Sequence, residues 1–167
     1  MTDPTADPGI ASFTAYVHAH QRRLVGFAEA LCGDRATAED LVQNAFAKAW
    51  LRWGRLSSPG FDTDAYVRRM IVNENNSWWR RAFRRHERTS DAPPERPVHD
   101  PDLPDDEVWR ALQSLPPRQR AVVALRFLAD ADVAETAHLL QCSEGTVKSQ
   151  TSKAMATLRA RLPQETS

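Results

Sequence analysis

Two groups of side chains have the types and spacing to grip nucleic acid. Arg69, Asn73, Asn76, Arg80 and Arg84 follow one another at offsets of four, three, four and four residues, which stacks them in one row along an α-helix. Arg and Asn hold phosphates and read base edges. Trp50, Trp53, Trp78 and Trp79 lie in or beside the same stretch, and rings next to an Arg row suit unstacked, single-stranded bases. The alternative is a solvated charged helix face. Trp50 and Trp78 fall on apolar stripes and are expected in the core, whereas Trp53 and Trp79 are the expected contact residues. The second group is Thr146, Lys148, Ser149, Gln150, Ser152 and Lys153, a face of hydroxyl and basic side chains with few carboxylates beyond Glu144, suited to duplex DNA.

Other chemistries find little support. Glu39 and Asp40 are adjacent carboxylates, but neighbours on a helix point about 100° apart and make no facing acid–base pair. The five His show no metal spacing, and no Gly-rich phosphate loop occurs. Cys32 and Cys142 are the only cysteines, in no CxxC pair, so neither a disulfide framework nor a zinc site is suggested. The expectation is a non-enzyme without cofactor or metal.

Helices must position both groups. Apolar residues at helical spacing predict one helix over about 11–32, a second over about 35–53 burying Ala38, Leu41, Val42, Ala45, Phe46, Ala49 and Trp50, and a third over about 64–84. Gly33-Asp34 stops the first and caps the second, and a Ser57-Ser58-Pro59-Gly60 loop precedes the third. Four shorter helices follow after about residue 108. Asp132 caps the third of these and Ser143 the fourth, with the turn Gln141-Cys142-Ser143 between them, the pattern of a helix-turn-helix whose second helix enters a major groove. A plain helical hairpin would share the apolar spacing, but not the outward face.

With 41% hydrophobic and 26% charged residues, the 167-residue chain is too apolar to be disordered. Its 22 basic and 22 acidic residues cancel, which by itself disfavours a nucleic-acid partner. The charge is segregated, however: five Arg lie between Arg80 and Arg88, and seven acids between Asp91 and Glu107. The stretch from Ala82 to Pro104 holds five of the eleven prolines and reads as a linker. The N-terminus lacks the basic start and apolar core of a signal peptide, and no later run approaches a membrane span, so a cytoplasmic protein without membrane insertion is expected.

Three motifs together resemble a known family. Leu115-Pro-Pro-Arg-Gln-Arg120, the run Ala134 to Ser149, and Leu158-Arg159 resemble region four of bacterial sigma factors of the extracytoplasmic-function group, in the sigma-70 family. Ala38-Glu-Asp-Leu-Val-Gln-Asn-Ala-Phe-Ala-Lys-Ala-Trp50 is similar to their region two helix that binds core RNA polymerase. Ala65 to Asn73, with Arg80-Arg81, is similar to their promoter-melting helix. The resemblance implies an all-α fold of two small helical domains joined by a flexible linker: a disordered N-terminus over 1–9, region two over 10–85, a Pro-rich acidic linker over 86–104 and region four over 105–163. It also implies roles. Asp40, Leu41, Gln43, Asn44 and Phe46 would meet the clamp of the polymerase's largest subunit, with the flap as a second contact. Trp53, Arg69, Asn73, Asn76, Trp79, Arg80 and Arg81 would hold the melted non-template strand of the minus-ten element. Ser143, Thr146, Lys148, Ser149, Gln150, Ser152 and Lys153 would read the minus-thirty-five element as duplex, with Arg118 and Arg120 on nearby phosphates. An anti-sigma factor is a further candidate partner. The chain departs from the family pattern at Val72 and Gln150, where Arg is frequent, and at Ser77, where Asp is common.

The linker length agrees with this reading. About 23 residues at roughly 3.1 Å each reach about 70 Å, comparable to two duplex turns of about 35 Å. A stand-alone repressor or activator would use the helix-turn-helix alike but would leave the Trp-rich, Arg/Asn-lined half unemployed.

Overall fold

The computed structural model describes residues 7–86 and 107–162, and the regular structure among them is helical. The expected linker therefore lies outside the described residues except at 82–86, where the chain is still in helix, and the N-terminus up to residue 6 lies outside them too.

Helix α1 spans Pro8–Cys32. It starts earlier than the apolar spacing indicates, and inside the expected N-terminal tail, because Asp7 caps it by accepting from the Gly9 N–H at 2.9 Å and Pro8 occupies the first turn, where its missing N–H costs nothing. Gly33 ends it in the left-handed region (φ 81°), returning its N–H to the Glu29 carbonyl, a conformation that favours glycine. Asp34 then accepts from the Thr37 N–H at 2.9 Å and opens α2, Arg35–Trp50. A short α3, Trp53–Leu56, occupies part of what reads as loop. Asp62 accepts from the Ala65 N–H at 2.9 Å at the start of α4, Thr63–His86.

The second unit comprises α5, Glu107–Gln113, and α6, Pro117–Val123. The latter runs on into a π-helical turn, Ala124–Leu128. Helix α7, Val133–Leu140, is capped by Asp132 accepting from the Glu135 N–H at 2.7 Å. Gln141 (φ 56°) turns the chain, and Ser143 caps α8, Glu144–Arg161, accepting from the Thr146 N–H at 3.1 Å.

The first unit packs α1, α2 and α4 around Leu24, Leu31, Val42, Leu56, Val67 and Ile71, all essentially inaccessible. Full burial of such side chains stabilises by about 1.5–3 kcal/mol each. The second unit has two small cores of its own, one around Leu112, Leu115, Val123 and Leu158 and one around Val122, Ala137 and Val147. The two units are not held apart. Ala121, Ala124, Leu125, Ala131 and Leu139 of the second unit belong to the same buried cluster as α1, α2 and α4. Val122 and Val123 of α6 face cores of its own unit, which leaves Ala121 of α6 and Ala124 and Leu125 of the π-helical turn to be covered by the other.

Candidate nucleic-acid and polymerase interfaces

Helix α8 places the group expected to read duplex DNA on one outward face, as the sequence pattern predicts. Val147 and Ala154 are fully buried and Leu158 nearly so, which fixes the rotation of the helix and leaves Lys148, Ser149, Ser152 and Lys153 exposed, with Thr146 and Gln150 half-exposed. The Ser143 and Thr146 hydroxyls share a hydrogen bond of 2.9 Å, so Ser143 acts as cap as well as surface hydroxyl. Arg118 is exposed at the start of α6.

Arg120 departs from expectation. It is 7% exposed, and its guanidinium lies so close to Gly33 that a Cβ there would stand 2.5 Å from Nη2. A cation at that position faces the C-terminal end of α1, where the helix dipole favours it. In this arrangement it joins the two units and does not reach out to phosphate. The same surroundings bury Cys32, and burial pushes its thiol up to about 11.

On α2, Asp40, Gln43 and Asn44 are exposed in one patch. Leu41 and Phe46, expected there too, are 4% and 8% exposed: they point inward, so their part is to hold the helix at its height, with Phe46 edge-on to Phe13 and Tyr16. The expected roles of the tryptophans are reversed in this region. Trp53 is 7% exposed and donates its indole N–H to the Ser12 hydroxyl at 2.7 Å, because the short α3 turns it under the end of α1. Trp50 is 39% exposed and leans on Phe13 at 5.2 Å.

Along α4 the described members of the row lie off the core. Val67, Ile71 and Val72 face the core, while Arg69 and Asn73 are exposed and Asn76 half-exposed. Val72, where the family often has Arg, is thus a core residue. Arg81 is exposed, and the side chains of Trp78, Trp79, Arg80 and Arg84 lie outside the described residues. The start of α4 is tied to α1 through Asp64, which accepts from the Tyr16 hydroxyl at 2.8 Å and pairs with Arg23 and Arg68. Burial and this carboxylate both raise the Tyr16 pKa, which keeps the phenol protonated.

Two members of the row meet the second unit. The Arg69 guanidinium donates to Glu135 on α7 at 3.2 Å, and the Asn76 amide donates to the Leu139 carbonyl at 2.9 Å. Sequence reasoning missed Glu135 and Leu139, because the local pattern marks Asp132 as the cap of this helix but carries no signal for a contact with residues more than sixty positions away. Two grooves of about 600 Å³ each flank these contacts, one lined by Phe61, Tyr66, Arg68 and Leu125, the other by Asn73, His138 and Cys142.

Comparison with known proteins agrees with this division. The family described as sigma-70 region 2 matches residues 16–85, and sigma-70, region 4 matches residues 105–158. The RNA polymerase sigma-E factor of Streptomyces coelicolor is 36% identical over 158 residues, covering 92% of this chain and 87% of that protein. The ECF RNA polymerase sigma factor BldN of the same organism is 32% identical over 141 residues, covering 80% and 53% respectively. Among solved structures, the sigma factor RpoE in complex with the anti-sigma factor NepR from Bartonella quintana shares the fold, with a TM-score of 0.66 at 24% identity, covering 93% of this chain and 99% of that one. With both halves matched in order and one relative alike along most of its length, the chain belongs to the sigma-70 family of RNA polymerase sigma factors, in the extracytoplasmic-function group.

Proposed function

We propose that this chain is a promoter-specificity subunit that binds core RNA polymerase, recognises the minus-ten and minus-thirty-five elements and assists melting, without catalysis or a cofactor of its own. The observation that carries the reading is the presence, on one chain, of two separate polar faces on rigid helices: Asp40, Gln43 and Asn44 on α2, and Lys148, Ser149, Ser152 and Lys153 on α8. Neither face is needed for the hydrophobic core, so both are available to partners. The first is proposed to dock on the clamp of the largest subunit. The second would sit in the major groove of the minus-thirty-five element, where each good base contact discriminates by about 1–3 kcal/mol. Arg69, Asn73, Asn76, Arg80 and Arg81 are proposed to hold the melted minus-ten strand. Extruding a base costs a few kcal/mol, which contacts from such a row offset. Among the described residues no helix is long and apolar enough to cross a membrane, in keeping with action at cytoplasmic promoters. An anti-sigma factor, as seen with the Bartonella protein, would act by covering these faces.

The test is run-off transcription with purified core polymerase on a promoter library. Transcripts should require the chain, and Asn44→Ala should weaken core binding without lowering stability. Absence of any core-dependent transcript would refute the proposal. Tight, specific duplex binding by the isolated protein would favour a stand-alone repressor instead.

A further inference from the structure

We propose that Gly145 is a duplex contact and sets how α8 approaches DNA: the bare first turn comes nearest the base edges, while Lys148 and Lys153 reach phosphates on opposite strands of the major groove. The inference rests on the proposed reading of α8 as the minus-thirty-five helix and deepens it.

Nothing inside the protein calls for glycine at this position. Gly145 is exposed in the first turn of α8. The glycines with positive φ are Gly33 and Gly60, so the backbone at 145 suits any L-residue. A Cβ added there would stand 3.8 Å from the Ser143 hydroxyl oxygen, an ordinary contact, and would meet nothing else within 4 Å among the described residues. Glycine nevertheless weakens a helix relative to alanine. The use that remains for it is to let another molecule come close to the backbone, and the N-terminal turn of the second helix is the part of a helix-turn-helix that meets base edges.

The rotation of α8 gives the direction of approach. Val147, Ala154 and Leu158 are buried and mark its inner line. At about 100° per residue, Gly145, Ser149 and Ser152 stand within about 40° of the opposite direction. Lys148 lies about 80° to one side of that direction and Lys153 about 60° to the other. Both lysines are exposed, and neither takes a carboxylate among the described residues, whereas Lys48 is committed to Glu74 on α4. A helix with its side chains is about 10–12 Å across and the major groove about 12 Å wide. With short side chains foremost, the axis can sink toward the base edges, and long cations on the two flanks then meet the two phosphate backbones that wall the groove. The carboxylate of the same turn, Glu144, stands about 100° from Gly145 and clear of this crest.

The test uses the full-length chain, assembled with core polymerase, on a promoter duplex that the native holoenzyme transcribes. Gly145→Ala should keep or raise the urea midpoint of the chain, yet raise the dissociation constant for the promoter on the order of tenfold, the loss of about one base contact. Gly26→Ala, whose added Cβ on α1 would meet nothing within 4 Å, should leave promoter affinity unchanged. Methylphosphonate linkages, which remove phosphate charge, are then placed on one strand of the minus-thirty-five element at a time. Neutralising one strand should abolish the cost of Lys148→Ala and leave that of Lys153→Ala, and neutralising the other should do the reverse.

A lower urea midpoint in Gly145→Ala would reveal an internal need for glycine, and native promoter affinity in that variant would show that no duplex comes near it. Either result overturns the inference, as does cancellation of both lysine effects by the same strand or by neither. A native chain that yields no core-dependent transcript refutes the sigma role and this inference with it, whereas native transcription with an unaffected Gly145→Ala refutes the inference alone.

Discussion

Replacing Gly33 by Ala should destabilise the protein for two separable reasons. Gly33 has φ 81°, and an L-residue in the left-handed region costs about 1–2 kcal/mol. The added Cβ would also lie 2.5 Å from Nη2, 2.7 Å from Cζ and 2.9 Å from Nη1 of Arg120. Non-bonded carbon contacts are favourable only near 3.5–4.0 Å, so the guanidinium must leave. Since Arg120 is 7% exposed, leaving means giving up contacts to a charged group of about 1.5–3 kcal/mol. The combined loss is about 2.5–5 kcal/mol. Gly60 supplies the control, with φ 82° but nothing within 4 Å of its would-be Cβ, so Gly60→Ala should cost only the backbone part of about 1–2 kcal/mol. Urea unfolding of the full chain, extrapolated linearly to water, measures both. In an Arg120→Ala background the cost of Gly33→Ala should fall to that of Gly60→Ala, the difference being the coupling between the two units at this point. Equal costs for the two glycines in the native background, with no coupling to Arg120, would refute the placement of Arg120.

Val147→Ala removes two buried methyl groups from the anchor of α8, which is fully inaccessible. At about 0.8 kcal/mol per methylene plus a cavity contribution, it should cost about 2–3 kcal/mol, read by urea unfolding, and should weaken minus-thirty-five binding with it. Lys148→Ala changes an exposed position and should not change stability, but should lower the salt slope of duplex binding by about 0.9 if Lys148 meets a phosphate. The Cys32 thiol, raised by burial from an ordinary 9.0 to about 11, stays protonated in the folded protein where the unfolded chain ionises. Its contribution is therefore complete below pH 9 and is lost as pH rises toward 11. Stability should decline across that window, and Cys32→Ala should flatten the decline. At pH 8 a thiol reagent should modify half-buried Cys142 well ahead of Cys32.

Much of this protein can be read from local pattern. The helix starts at Asp34, Asp132 and Ser143 and the stop at Gly33 follow from side chains that satisfy backbone groups within a few residues. The outward faces of α2 and α8 follow from which positions are apolar. Roles that depend on non-neighbouring chain were not legible. Leu41 and Phe46 stand in a motif associated with polymerase, yet periodicity alone already places them on the apolar stripe, and packing against α1 decides in favour of the core. Trp50 and Trp53 exchange expected burial because the two residues between them, Leu51 and Arg52, form the turn into α3, and a turn changes direction by more than helical periodicity can follow.

The sequence by itself determined the all-helical class, the order of the two units, the family and the identity of the polar rows, because each depends on spacing within a single element. Only the tertiary structure decided that Arg120 lies against Gly33 instead of facing outward, and that Arg69 and Asn76 meet Glu135 and Leu139 across sixty-six and sixty-three residues of chain. Such contacts depend on which surplus apolar face of α6 and the π-helical turn finds cover, a question of three-dimensional burial that no one-dimensional period encodes.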